Sequence, residues 1–476
     1  MTWSYDSFVE AGAAVHFVIA GGVTLHALLN KRDVRAAFGW IGMAWLSPVI
    51  GPVLYYVFGI NRVSRKMSRV SRDTSQRAGV ETMDDDSAGH HLAPNIAAIV
   101  AIGDRVTARP LLDGNKVAVL QGGDEAYPAM LAEIEAAETS IVLASYIFRL
   151  DHVGNEFVSA LSRAQERGVE IRVLVDGIGS GYFISPIARK LRKAGIPTAR
   201  FMHDWLPWRM SFINLRNHKK LLIVDGSIGF LGGLNLGDEN VRRFRRPRPV
   251  DDVHFRIDGP VVRQFMMTFA EDWRFTTGED LTKDLWWPSL KKSDGCLARA
   301  VSSGPDEDLG KIEAIWAAAI GQAKEHLRIV TPYFLPDAHL MASVILAGLR
   351  GVNVEIVIPK HTDLILLDWA MRSHLSFYPV SEINCYETPA PFDHAKLITI
   401  DGEWCAVGSA NWDVRSLRLN FELMLECYDD KTVALIDDLI DDRIARGKRL
   451  SLGLLNQRPF YMRIRDAAAR LLLPYL

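Results

Sequence analysis

The stretch NHKKLLIVDGSIGFLGGLN, from Asn217 to Asn235, decides the fold because it has a second copy in the same chain. The second copy, DHAKLITIDGEWCAVGSAN, runs from Asp393 to Asn411. In each copy a histidine is followed two residues later by a lysine, five residues after that by an aspartate, and finally by an asparagine. Every matching pair is 176 residues apart, as for the two asparagines (411 − 235 = 176). An internal repeat of this kind predicts a duplicated domain.

In each copy the histidine and lysine stand just before an apolar run that is typical of a buried strand. Side chains two positions apart in a strand share a face, so His218 is expected beside Lys220, and His394 beside Lys396. A neutral imidazole next to an ammonium group suits attack on an anionic phosphate, since the lysine neutralises the phosphate oxygens. The two copies therefore predict one shared site, in which one histidine attacks phosphorus and the other supplies a proton.

The other motif residues are candidates for supporting this chemistry. Small residues and amides near the end of each copy are expected to stabilise the charge of the transition state, and they are Gly233, Asn235, Ser409 and Asn411. Asp225 and Asp401 complete the motifs as candidate catalytic residues, but their strand parity is opposite to that of the histidines, so we expect structural or supporting roles. No carboxylate cluster near the motifs suggests a metal site, and the sequence predicts a reaction without metal or cofactor.

The sequence around the motifs repeats as well. Residues 167–175 (RGVEIRVLV) match residues 350–358 (RGVNVEIVI), and strand-like and helical segments alternate in both parts. This alternation predicts an α/β fold with a parallel or mixed sheet and helices on its faces. The predicted domains are residues 96–290 and 291–476, because a segment rich in Pro, Gly, Ser and charge lies between them.

The first sixty residues are predicted to form a membrane helical hairpin. Two apolar stretches, Phe8–Leu29 and Phe38–Ile60, each approach the ~20 residues that a helix needs to cross the hydrocarbon core. Pro48 and Pro52 interrupt the second stretch, so a shallow or re-entrant hairpin is an alternative, as is a pair of buried core helices. Residues 61–95 are polar and charged, which is typical of a linker, and their basic residues favour a cytoplasmic main domain.

Composition excludes some classes of protein. The chain has 55 Lys and Arg residues against 57 Asp and Glu residues, so it lacks the basic excess typical of proteins that bind nucleic acid. The four cysteines are scattered and form no C-x-x-C pair, which argues against a zinc site or a disulfide framework; they are Cys296, Cys385, Cys405 and Cys427.

The two motifs resemble the HKD motifs of the phospholipase D superfamily, and the wider sequence is similar to its bacterial cardiolipin synthases. The similar stretches extend over nearly the whole chain and include residues 45–62 (WLSPVIGPVLYYVFGINR), 229–239 (GFLGGLNLGDE) and 408–422 (GSANWDVRSLRLNFE). The resemblance implies a duplicated phospholipase D fold: two mixed-sheet domains with pseudo-twofold symmetry, plus the N-terminal membrane hairpin.

The resemblance also implies a mechanism through a phosphatidyl-histidine intermediate. Within this mechanism we assign the nucleophile to His218 and the general acid and base to His394. In this superfamily a carboxylate downstream of each motif orients the histidine, which implies Glu422 for His394 and Asp252 for His218.

The implied reaction joins two phosphatidylglycerol molecules into cardiolipin and glycerol. The expected partners are phosphatidylglycerol, other anionic phospholipids and the membrane, without nucleic acid, and the expected location is the inner membrane of a bacterial cell. Phosphatidyl transfer to another head group, hydrolysis as a phospholipase D, cleavage of nucleic acid by a nuclease, and a non-catalytic membrane scaffold are the alternatives.

Three local features depart from the resemblance or extend it. Asp393 stands before the second histidine, where an apolar residue is usual, and is expected to raise the pKa of His394. An arginine-rich loop at residues 242–248 (RRFRRPR) is expected either to bind anionic lipid or to be a solvated loop. The apolar segment at residues 201–212 is expected either at the membrane interface or in ordinary packing.

Overall fold

The computed structural model describes residues 5–31, 34–59, 92–203, 215–290, 294–305, 307–378 and 382–471. These residues divide into an N-terminal helical unit and a larger α/β unit. Most of the predicted linker (residues 61–95) and most of the apolar segment at residues 201–212 lie outside the described residues.

The N-terminal unit is a helical hairpin whose second arm is broken. Its helices are α1 (Tyr5–Asn30), α2 (Val34–Leu46) and α3 (Ile50–Leu54), followed by a π-helical turn at Tyr55–Gly59. Within the described part, Val9–Asn30 is the one stretch both long and apolar enough to cross a membrane. The expectation of a second helix of spanning length is wrong, because the chain turns at Pro48 and Val49. The φ angle of Val49 is 70°, which is incompatible with a continuous helix. The indole of Trp45 donates to the Thr24 hydroxyl at 2.9 Å and joins the two arms.

The α/β unit is built on a sheet to which both copies of the repeat contribute. The strands of its first half are β1 (Leu112–Gln121), β2 (Ser140–Ser145), β3 (Glu170–Asp176), β4 (Thr198–Phe201), β5 (Arg216–Asn217), β6 (Leu221–Val224), β7 (Ile228–Gly232), β8 (Val250–Asp251) and β9 (Val253–Asp258). Those of its second half are β10 (Cys296–Ser303), β11 (His326–Val330), β12 (Phe334–Leu335), β13 (Asn353–Pro359), β14 (Ile383–Thr388), β15 (Phe392–Asp393), β16 (Leu397–Ile400), β17 (Trp404–Gly408), β18 (Trp412–Asp413), β19 (Asn420–Tyr428) and β20 (Lys448–Arg449).

The strand order is the same on both sides of a central pair. Outward from the centre it is β1-β9-β7-β6-β2-β3-β4 in the first half and β10-β19-β17-β16-β11-β13-β14 in the second. The central strands β1 and β10 are antiparallel. In each half the outer strands are parallel, as β2 is to β3 and β11 to β13, and the inner ones are antiparallel. The predicted mixed sheet and the predicted duplication are therefore confirmed.

Helices connect the strands and cover the sheet. They are α4 (Pro94–Thr107), α5 (Gly122–Ala136), α6 (His152–Glu166), α7 (Pro186–Lys193), α8 (Val262–Thr277), α9 (Lys311–Gln322), α10 (Ala338–Leu349), α11 (Ile365–Ser376), α12 (Val414–Arg418), α13 (Asp430–Arg446), α14 (Leu452–Leu455) and α15 (Phe460–Leu471). Helix α6 illustrates the local causes: the Asp151 side chain caps its first turn by accepting from the Gly154 amide. Val153, Phe157 and Leu161, spaced four apart, form its buried face.

Each half has its own hydrophobic core. Helix α4 packs in the core of the second half, where Ile96 and Ile99 join Trp316. The boundary predicted at residue 96 assigns most of this helix to the first half, whereas its apolar residues pack in the core of the second half. Helix α4 lies beside the second half because it leads into β1, which is the neighbour of β10 in the sheet. The buried Arg299 on β10 also holds the helix there, since it pairs with Asp104 on α4 as well as with Glu426 at 2.5 Å.

Candidate active site

The first histidine follows a two-residue strand that pairs with the other half of the molecule. Strand β5 lies parallel to the start of β19, and the backbone amide of His218 donates to the carbonyl of Phe421 at 2.9 Å. This pairing places the next residue of β19, Glu422, beside the histidine. Nδ1 of His218 lies 3.0 Å from Oε2 of Glu422, which is fully buried.

The second histidine repeats this arrangement with the halves exchanged. Strand β15 lies parallel to β8, and the backbone amide of His394 donates to the carbonyl of Asp251 at 2.7 Å. Nδ1 of His394 lies 2.8 Å from Oδ2 of Asp252. The pairing inferred from the family resemblance, Glu422 with His394 and Asp252 with His218, is therefore wrong. Each half supplies the carboxylate for the histidine of the other half, because β5 and β15 both cross the boundary.

The two imidazoles face each other across one small space. Their ring centroids are 6.5 Å apart, and their side chains are only 9% and 12% exposed. Because each carboxylate holds Nδ1, the Nε2 atoms remain for chemistry. Lys220 donates to the backbone carbonyl of His218 at 2.6 Å, and Lys396 donates to that of His394, so each ammonium group is fixed next to its histidine.

Burial dominates the titration of these groups. It lowers the pKa of His218 to about 4, against the opposing effect of Glu422. Burial, together with the charge of Lys396, also lowers the pKa of His394, against the opposing effect of Asp252. The pKa of Lys220 falls to about 7 and that of Lys396 to about 8, again mainly through burial. His218 is therefore uncharged at neutral pH, which is the state that a nucleophile requires.

Asp393 does not act on the second histidine as expected. Its carboxylate is buried and accepts from the guanidinium of Arg443 at 2.7 Å, with Arg446 at 3.7 Å. Since arginine neutralises this charge, and burial and Lys396 lower the pKa of His394, the expected rise in that pKa is wrong.

The aspartates of the two motifs lie at the far ends of the strands that follow the histidines. Asp225 has φ of 48°, and its carboxylate accepts from the backbone amides of Thr139 at 2.7 Å and Ser140 at 2.9 Å. Asp401 has φ of 52° and accepts in the same way from the amide of His326 at 2.7 Å. Each carboxylate therefore connects the turn after its own strand to the start of a neighbouring strand, β2 for Asp225 and β11 for Asp401, by accepting hydrogen bonds. Within the described part of the chain, neither carboxylate is bonded to an imidazole.

The small residues and amides of the motifs divide into two groups. Asn235 and Asn411 line the space between the histidines. Ser409 instead donates to Glu422 at 2.6 Å. Its counterpart in the first copy is Gly233, where an added Cβ would lie 2.2 Å from Oδ1 of Asp252. Ser409 and Gly233 therefore set the positions of the two carboxylates and have no contact with the space itself.

Sequence reasoning missed several residues of the site. The ring of Tyr146, after β2, lies 4.9 Å from that of His218. Its counterpart after β11, Tyr333, donates its hydroxyl to Asp363. The repeat itself held a signal for this pair, since Tyr146 and Tyr333 both follow matching strands. Arg216 and Arg415 also line the space, and no periodic pattern marks them.

Two cavities meet at the second histidine. The two-histidine cavity, of about 360 Å³, is lined by both histidines, both tyrosines, Arg216 and Arg415. The arginine cavity, of about 650 Å³, is lined by Arg149, Arg246, Arg248 and His394. Among the residues described, His394 lines both cavities, whereas His218 lines only the first. Both volumes lie in the range of small-molecule sites.

Comparisons with known proteins agree with this geometry. Residues 130–273 and 317–444 match the family model described as cardiolipin synthase, PLD-like domain. A cardiolipin synthase of Geobacillus kaustophilus (strain HTA426) is 30% identical over 460 residues, which is 95% of this chain and 91% of that protein. Cardiolipin synthase 1 of Bacillus anthracis is 28% identical over 487 residues, covering 99% and 95%.

Among solved structures, phosphatidylserine synthase of Haemophilus influenzae Rd KW20 has the same fold. It has a TM-score of 0.61 at 15% identity, covering 80% of this chain and 100% of that one. The family model matches more than half of the sequence in two segments, one containing each histidine, and a relative at 30% identity spans nearly all of it. This chain belongs to the cardiolipin synthase family of PLD-like proteins.

Proposed function

We propose that this chain is a cardiolipin synthase, which transfers the phosphatidyl group of one phosphatidylglycerol to a hydroxyl of a second and releases glycerol. The observation that carries the proposal is the pair of histidines 6.5 Å apart in one cavity, each held at Nδ1 by a carboxylate. The family membership supports the same reaction. One phosphodiester replaces another, so the reaction needs no nucleotide to drive it.

In the first step the uncharged Nε2 of His218 attacks phosphorus. The bond from phosphorus to the glycerol oxygen breaks, and His394 gives that oxygen a proton as glycerol leaves. Lys220 and Lys396 stabilise the extra negative charge on the phosphate oxygens during the attack. Glu422 stabilises the positive charge that His218 acquires, because it accepts from Nδ1 of that ring.

In the second step a hydroxyl of another phosphatidylglycerol attacks the phosphorus. Its proton passes to Nε2 of His394, and the bond between phosphorus and His218 breaks. The assignment of His218 as the nucleophile rests on its position, because it lines the two-histidine cavity and not the arginine cavity. His394 suits the acid and base role, because it is the histidine that both cavities reach.

We further propose that the enzyme works at the inner membrane, with the α/β unit on the cytoplasmic side and helix α1 as an anchor. Most of the residues of α1 are exposed in the structure, as suits a helix surrounded by lipid. The α/β unit also has apolar residues beside its site. Leu364 lines the two-histidine cavity, yet it is 53% exposed, and the adjacent Ile365 is 61% exposed. Such a rim suits the entry of acyl chains from a lipid surface.

The product assay tests the proposed reaction. Purified full-length protein is incubated with labelled phosphatidylglycerol in mixed micelles, alone and with phosphatidylethanolamine or phosphatidylserine in competition. We expect cardiolipin and free glycerol in equal amounts. Phosphatidic acid without cardiolipin would show a hydrolase instead, and products that carry another head group would show a different transferase.

A further inference from the structure

The two halves of the α/β unit differ in the length of a loop beside the second histidine. Asp252 follows Asn235 by 17 positions in the first half, whereas Glu422 follows Asn411 by 11 positions in the second (252 − 235 = 17; 422 − 411 = 11). The additional residues belong to the arginine-rich loop. This loop forms one wall of the arginine cavity and has no counterpart beside His218. The two motifs repeat, but the site is asymmetric, because only His394 of the two histidines also faces the arginine cavity.

Most charges around the arginine cavity already have partners. Arg149 pairs with Glu239 at 2.7 Å. Arg246 pairs with the buried Asp238, which also accepts from the backbone amide of Val153 at 3.0 Å.

Arg248 is different. Over the described ranges of the chain, it makes no ion pair with a carboxylate, although it is exposed and lines the cavity. Its guanidinium is therefore available to an anion from outside the protein, and guanidinium binds phosphate oxygens in bidentate fashion.

The geometry of the second step requires a binding site for a second phosphodiester close to His394. After the first step the phosphatidyl group is attached to His218, in the two-histidine cavity. The incoming hydroxyl must approach phosphorus from the side opposite His218, and its proton must reach His394. A phosphatidylglycerol entering there carries its own phosphodiester, which is separated from the reacting hydroxyl by the three carbons of one glycerol. Since His394 is the histidine that lines the arginine cavity, that phosphodiester comes to lie in this cavity.

We propose that the arginine cavity is the binding site for the phosphodiester of the acceptor lipid, with Arg248 as its principal contact. This inference rests on the proposed function, because it divides the two substrates of that reaction between the two cavities. Arg216 and Arg415 then serve the donor, in the cavity that contains His218. In cardiolipin both phosphates are bridged by one glycerol, so the product spans the two cavities at His394.

The test compares two acceptors, one with a phosphate and one without. Full-length protein in phosphatidylglycerol micelles is given labelled glycerol, and two rates are measured: incorporation of label into phosphatidylglycerol, and formation of cardiolipin. Glycerol exchange needs the donor lipid, His218 and His394, but no acceptor phosphate. The ratio of cardiolipin formation to glycerol exchange therefore reports on the acceptor site alone.

For Arg248→Gln we expect this ratio to fall on the order of 10- to 100-fold, the usual effect of losing a charge-assisted hydrogen bond. Arg248→Lys keeps the charge and should restore part of the ratio. Arg245→Gln is the matched control, because Arg245 is an exposed arginine of the same loop that does not line the cavity. Its ratio should equal that of the unaltered chain.

An equal loss of both rates in Arg248→Gln, or no change in either, would overturn the acceptor assignment. So would a fall of the ratio in Arg245→Gln as large as that in Arg248→Gln. Failure of the proposed function has a different signature, because the unaltered chain would then exchange glycerol or hydrolyse lipid without forming cardiolipin.

Discussion

At the level of single residues, the two histidines have equivalent partners but unequal access to the cavities. This predicts that only His218 becomes covalently phosphatidylated. With a radiolabelled 4-nitrophenyl ester of phosphatidic acid, whose leaving group needs no proton, His394→Ala should accumulate label on the protein, because the second step lacks its base. His218→Ala should acquire none. Protein quenched in alkaline detergent, which preserves the acid-labile phosphorus–nitrogen bond, is separated by gel electrophoresis and counted; label on His218→Ala but not on His394→Ala would reverse the two roles.

The crossed carboxylates give a second prediction at this scale. Asp252→Asn should weaken His394 as an acid and lower the rate with phosphatidylglycerol about 10²- to 10⁴-fold, while the initial burst of 4-nitrophenol from the activated ester persists. Glu422→Gln should suppress that burst as well, since its partner is the nucleophile. Stopped-flow absorbance measures the burst. If Asp252→Asn suppressed the burst and Glu422→Gln did not, the nucleophile would be His394, the partner of Asp252, and not His218.

At the level of secondary-structure elements, the motif aspartates hold turns and not substrates. Asp225→Ala removes a carboxylate that accepts from the amides of Thr139 and Ser140, and each hydrogen bond to a charged group contributes roughly 1.5–3 kcal/mol. We expect a lower melting temperature, with little change in the KM of the protein that remains folded. Calorimetry and lipid kinetics on the same preparation measure both. A normal melting temperature with a large loss of kcat would instead give Asp225 a direct role in chemistry.

The same elements explain what the sequence could and could not predict. The motifs, the duplication and the mixed sheet were predictable, because repeats and apolar runs are visible in one dimension. The partner of each histidine was not, because β5 and β15 are two residues long and pair across the halves. Strands this short leave no periodicity in the sequence. Arg443 as the partner of Asp393, and α4 in the core of the second half, depend in the same way on contacts between residues distant in the chain.

At the level of the whole molecule, the α/β unit should meet lipid through the loops after its parallel strands. Phe183 follows β3 and is 69% exposed, and Ile365 follows β13, the equivalent strand of the second half. Strands β3 and β13 are parallel to β2 and β11, so these loops leave the sheet at the edge where Tyr146 and Tyr333 border the site. Exposed apolar residues from both halves thus follow strands that end at the edge of the sheet where the site lies.

This arrangement predicts that the double variant Phe183→Ser, Ile365→Ser loses activity only on a bilayer. Burial of a large apolar side chain contributes about 1.5–3 kcal/mol, so the rate on phosphatidylglycerol vesicles should fall roughly 10-fold or more. The rate on short-chain lipid dissolved as monomers should stay the same, because the site itself is intact. Leu349→Ser is the control, since Leu349 is 64% exposed on α10 and does not line either cavity. An equal loss of rate on vesicles and on monomers, or an equal loss of rate in the control variant, would show that these two residues do not contact the membrane.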